Sequence, residues 1–139
     1  MLYKGVRVTK TENVKKSRNM KLINEVVDLT DSMNELIKDY PSTVQFFDMI
    51  GEILGCNKDE LRVINVHPDY EKSDEEGWEI ESFFPKTDAK NFTVENLHSG
   101  YHTSDFYFGD IDKISYQGIT LVAVHDCGPI EMFINLKDC

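Results

Sequence analysis

Between Leu121 and Ile130 the sequence LVAVHDCGPI ends an apolar run in His125, Asp126 and Cys127, just before a Gly-Pro break. An imidazole, a carboxylate and a thiol are the groups of a base, its orienting acid and a nucleophile. On a strand, alternate side chains share a face, so His125 and Cys127 point one way and Asp126 the other. That alternation breaks the contiguous triad and leaves a Cys/His pair as the candidate catalytic set. Side chains two apart on one strand seldom meet in a hydrogen bond, and no local signature of cysteine hydrolases surrounds Cys127. The expectation is therefore a structural strand end in which His125 or Asp126 bonds within the Gly-Pro turn.

A second set with chemical capacity is His98, His102 and Asp105 in LHSGYHTSD. Histidines four apart on a helix can share a metal ion, with Asp105 as a third ligand. Gly100 weakens the helix that this spacing needs, and neither a HExxH glutamate nor a cysteine cluster accompanies it. Loop histidines beside Tyr101 are the expected reading. His67, before Pro68, is read as a strand-end residue. No GxxxxGK[ST] or GxGxxG element is present, so no nucleotide or other cofactor is expected.

The third set is acidic. DYEKSDEEGWEIES holds Asp69, Glu71, Asp74, Glu75, Glu76, Glu79 and Glu81 against Lys72, with Tyr70 and Trp78 among them. Such carboxylates can make charge-assisted pairs with the Arg and Lys of a basic groove, as nucleic-acid phosphates do. Aromatic residues of this kind anchor protein interfaces. The competing reading is a solvated loop that maintains solubility and guards a sheet edge. An EF-hand calcium loop is excluded by its ligand pattern.

These sets depend on the elements that carry them. Met20, Ile23, Val26, Val27, Met33, Leu36 and Ile37 recur at three- and four-residue steps, which predicts a helix over about 19–39, closed before Pro41. In PSTVQFFDMIGEILGCN the stripe Phe46, Phe47, Ile50, Ile53, Leu54 predicts a second helix over about 43–54. Ser42 and Gln45 have capping-box spacing, and Gly55 suits the position after the helix end. Beyond it the period changes toward two. LRVINVH (61–67) and WEIESFF (78–84) read as strands of a long hairpin, and Thr93 as the cap of a short helix or turn in TVENLHSGYH. DFYFG, KISYQG, ITLVAVHD and IEMFINL read as strands broken at Gly109, Gln117-Gly118 and Gly128-Pro129. Connections this short make an antiparallel meander. The expected fold is α+β, with two N-terminal helices packed on a mainly antiparallel sheet of about four to six strands.

A chain of 139 residues fits a single domain: a basic segment at 1–18 containing an edge strand or arm, the helix pair at 19–55, and the sheet at 61–138. No apolar run approaches the roughly 18 residues of a membrane span. The N-terminal segment lacks the apolar core of a secretory leader, and Cys56, Cys127 and Cys139 are odd in number, so a cytoplasmic location is expected. The net charge is −10, and it is unevenly placed. Lys4, Arg7, Lys10, Lys15, Lys16, Arg18 and Lys21 against Glu12 give residues 1–21 a charge of +6, so the remaining 118 carry −16.

An acidic body repels nucleic acid and attracts basic proteins. The first reading is thus a non-enzymatic interaction protein that binds a basic surface of another protein. Small acidic inhibitors from phages or mobile elements, which block nucleic-acid-binding defence enzymes, share this profile of size and charge. A homo-oligomeric structural protein, joined through the helix pair and a sheet edge, ranks second, and an exchanged or edge strand at Tyr3 and Val6 would make a dimer. A small-molecule binder or enzyme using His125 and Cys127 ranks third.

Overall fold

The computed structural model describes residues 14–16, 25–64, 92–126 and 130–139. They form strands β1 (Val14–Lys16) and β2 (Glu25–Asp28), helices α1 (Thr30–Asp39) and α2 (Val44–Leu54), and strands β3 (Leu61–Ile64), β4 (Phe92–His102), β5 (Tyr107–Tyr116), β6 (Ile119–His125) and β7 (Glu131–Asn135). All pairings are antiparallel, in the order β1-β2-β3-β7-β6-β5-β4. The α+β architecture is the expected one. The short β1, in the basic N-terminal segment, adds a seventh strand at one edge of the sheet.

The first helix begins later than its periodicity suggests. Val26 and Val27 are adjacent and both fully buried, the pattern of a strand covered on two faces, and β2 is paired on both edges, by β1 and β3. Asp28 then ends the strand. Its Oδ1 accepts the Thr30 backbone N–H at 3.0 Å and the Thr30 hydroxyl at 2.6 Å, which satisfies donors at the start of α1. The second helix closes as expected. Gly55, at φ +74°, donates to Glu52 O, and Cys56 N–H donates to Gly51 O, a Schellman pair. The expected Ser42 cap does not form. A 3-10 turn over Pro41–Thr43 runs into α2, and Thr43 is itself helical, so α2 has no side-chain cap.

The core lies between the helices and one face of the sheet. Leu29, Met33, Leu36, Phe46, Phe47, Ile50 and Leu54 pack with Val63, Val122, Val124 and Phe133. Phe46 is the hub: it stacks on Phe108 at a centroid distance of 3.8 Å and meets Phe47 and Phe133 edge-on. Burying one such ring stabilises the fold by about 2–3 kcal/mol. The sheet's other face carries a second cluster, with Ile114, Tyr116, Leu121, Ala123, Met132 and Ile134.

The 61–67/78–84 hairpin does not hold for residues 61–64, because β3 is already paired on both sides, by β2 and β7. Residues 65–67 and 78–84 lie outside the described residues, as do Tyr3 and Val6. TVENLHSGYH is strand, not helix: it forms most of β4 and pairs along β5. Gly109 does not divide two strands but sits inside β5. At φ +109° it breaks the alternation, so that Phe108 and Ile111, three apart, both join the helix-side core.

Candidate functional site

The two-residue turn Gln117-Gly118, with φ of +48° and +80°, joins β5 to β6 and fixes their register. Tyr116 faces Ile119, so Asp110 faces His125 and Asp112 faces Ala123. On β6, Val122 and Val124 enter the helix-side core, while Leu121, Ala123 and His125 take the opposite face. Asp112 is therefore the diagonal neighbour of His125, within reach of a long side chain. Their contact is direct, with His125 Nε2 2.9 Å from Asp112 Oδ2.

Asp112 is held from its other side by β4. Asn96, registered directly opposite, donates from Nδ2 to Asp112 Oδ1 at 2.9 Å and to His98 O at 3.2 Å. Ser99 Oγ donates to Asn96 Oδ1 at 3.2 Å. A chain of polar groups thus crosses three strands and ends on an imidazole. Its carboxylate is 11% exposed and its imidazole 29%. Beside it, Asp110 Oδ1 accepts the Gly100 N–H at 3.0 Å, and the Tyr107 ring is half exposed.

Of the expected Cys/His pair, His125 is placed and Cys127 lies outside the described residues. Asp126 is exposed and takes no part in the chain. The histidine's partner is thus a carboxylate 13 positions away, not its sequence neighbour. The two-residue turn and the alternation on either side of it carried that information.

His98, His102 and Asp105 do not gather around one point. The described residues contain no cluster of three or more metal-ligating side chains. His98 packs on the Tyr101 ring at 5.3 Å, and His102 Nδ1 lies 3.3 Å from Gly100 O. Asp105 instead accepts the hydroxyl proton of Ser42, whose oxygen lies 2.7 Å from Thr103 Oγ1. These bonds tie the β4–β5 turn to the corner between the helices. Register shifts along β4 separate the histidines further.

The helix layer presents a charged outer surface that the sequence reading did not single out. In α1 the buried positions Ser32, Met33 and Leu36 leave Asp31, Glu35, Lys38 and Asp39 exposed. In α2 the buried positions Phe46, Phe47, Ile50 and Leu54 leave Asp48 and Glu52 exposed, and Asp59 follows. Six exposed carboxylates therefore share this layer with Lys38 and the half-buried Lys58, which pairs with Asp48 at 3.3 Å. Between the start of α1 and the end of α2 opens a cleft of about 610 Å³, lined by Thr30, Met33, Asp48, Glu52, Cys56 and Asp59 among others. Burial, and then the charge of Glu60, push the Cys56 thiol up, which keeps it protonated and a poor nucleophile.

The acidic stretch Asp69, Tyr70, Glu71, Asp74, Glu75, Glu76, Trp78, Glu79 and Glu81 lies outside the described residues. Among the described residues, no helix is long and apolar enough to cross a membrane. No family model matches the chain, and no match is found among curated proteins or solved structures.

Proposed function

We propose that the protein is a non-enzymatic interaction module that binds a basic surface of another protein through the outer face of its helix layer. The observation that carries this reading is the spacing of the exposed acids. Asp31 and Glu35, and Glu35 and Asp39, are each four apart on α1, so like charges face one another; Asp48 and Glu52 have the same spacing on α2, where Lys58 offsets Asp48. Each such pair costs an isolated helix about 0.2–0.5 kcal/mol. Solubility requires exposed charge but no self-repulsion, whereas a cationic partner relieves the repulsion when it binds.

The cleft between the helices lies within the same acidic face and offers a recess for an Arg or Lys side chain of the partner. In sequence, the stretch from Asp69 to Glu81 adds seven carboxylates of the same sign against Lys72. A protein with a nucleic-acid-binding groove is the partner class this charge favours, which makes inhibition by phosphate mimicry the finer form of the proposal. Nucleic acid itself is repelled by such a body. A reducing, cytoplasmic setting suits the free thiol of Cys56.

The test is a nuclease-treated pull-down with tagged protein and two variants. One carries Glu35→Gln, Asp39→Asn, Glu52→Gln and Asp59→Asn; the other carries Asp74→Asn, Glu75→Gln, Glu76→Gln and Glu79→Gln. Recovery of a basic protein by the parent and its loss from the first variant supports binding through the helix layer. Equal recovery by the parent and both variants refutes the proposal.

A further inference from the structure

The polar chain on the opposite sheet face has the parts of an activated imidazole, and it does not depend on the acidic helix layer. We propose that His125 is a reactive nucleophile and proton acceptor toward small electrophiles carrying an activated acyl group. Asp112 is its positioning residue.

The geometry supports this in three steps. First, the Asp112 carboxylate accepts the Nε2–H of His125 at 2.9 Å, which selects one tautomer and leaves the lone pair on Nδ1. An acceptor carboxylate on one ring nitrogen fixes the tautomer and the orientation of the ring. Second, Asp112 cannot swing away freely, because Asn96 holds its second oxygen from the neighbouring strand and both groups stand on paired β-structure. Third, the imidazole is open enough to be reached, at 29% exposed, while the carboxylate behind it is 11% exposed. His98 and His102 are more exposed, yet a tyrosine ring and a backbone carbonyl are the neighbours described above for them, with no carboxylate.

Diethyl pyrocarbonate is a suitable probe because its reaction can be followed residue by residue. Nδ1 attacks one carbonyl carbon, forming a C–N bond as the bond from that carbon to the bridging oxygen breaks. Ethyl carbonate leaves with the electron pair. The Nε2 proton passes through Asp112 to solvent, and ethyl carbonate takes up a proton and decomposes to carbon dioxide and ethanol. No oxidant or further reactant is needed.

The full-length protein would be treated with limiting reagent at about pH 8, where free imidazole is neutral, and the modification of each histidine followed by peptide mass spectrometry. The expected result is that His125 reacts at least about tenfold faster than His98 and His102, the lower end of what an outer carboxylate contributes at metal-bound imidazoles. Asp112→Asn should bring His125 down to the rate of the other two without changing theirs. If burial alone governs the rates, His125 is the slowest of the three in the parent protein, and that result overturns the proposal. An unchanged His125 rate in a folded Asp112→Asn variant does so as well. The parent comparison needs no variant, so poor folding of Asp112→Asn does not protect the proposal from refutation.

Discussion

Glu131 stands on β7 with its carboxyl buried, and desolvation pushes its pKa from 4.5 up to about 7. A carboxyl with a raised folded-state pKa binds its proton more tightly in the native state than in the unfolded chain. Its contribution to stability is therefore fully present below about pH 4.5 and is lost as pH rises through about 7. The shift corresponds to about 3 kcal/mol between those limits. Glu131→Gln should flatten this part of the stability profile and stabilise the protein at about pH 8, as read from urea unfolding at several pH values. At Gly109 the backbone allows no side chain: a Cβ there would lie 2.3 Å from His125 O, and φ is +109°. Gly109→Ala should cost about 3 kcal/mol or more and displace the strand end that carries His125. A melting temperature close to that of the parent protein would contradict the packing described around β5 and β6.

Among the elements, α2 joins most of the structure together. Phe46 on its inner face contacts both β5 and β7 aromatics, and Leu54 O at its end accepts Asn135 Nδ2 from β7 at 3.1 Å. Phe46→Ala should cost about 3–5 kcal/mol, and Asn135→Ala about 1–3 kcal/mol through an unsatisfied buried carbonyl. Denaturant midpoints with an unchanged slope would check both values. α2, β6, β7 and the Gln117-Gly118 turn were legible in the sequence because their signals are local: an apolar stripe, a glycine past the helix end, and a two-residue turn between alternating runs. β2 was not, because adjacent valines satisfy a helical step as well as a doubly covered strand, and its neighbours β1 and β3 decide between them. β4 was not, because most of its side chains face water and so lack a period of two. For the same reason the spacing of His98 and His102 suggested a helical metal pair that the strand does not make. The Asp112–His125 contact was implicit in the turn register, whereas the exposure of the helix-layer acids required the positions of the buried stripe.

At the scale of the molecule, charge is the property on which the proposed function rests. Part of the chain's net acidity stands on the helix layer, with exposed acids four residues apart, outside the core and opposite the sheet face that bears His125. Neutralising Glu35, Asp39, Glu52 and Asp59 should therefore leave stability equal or raise it by about 1 kcal/mol, while weakening partner capture. An interface built on these charges must also respond to salt, since screening acts within a Debye length of about 8 Å at physiological ionic strength. The most direct measurement is the affinity of the captured basic partner for the parent protein and for the helix-layer variant across a series of salt concentrations. The account predicts that affinity for the parent falls steeply with salt and that the variant binds weakly with a much shallower dependence. Equal affinity and equal salt dependence of the two proteins would contradict it.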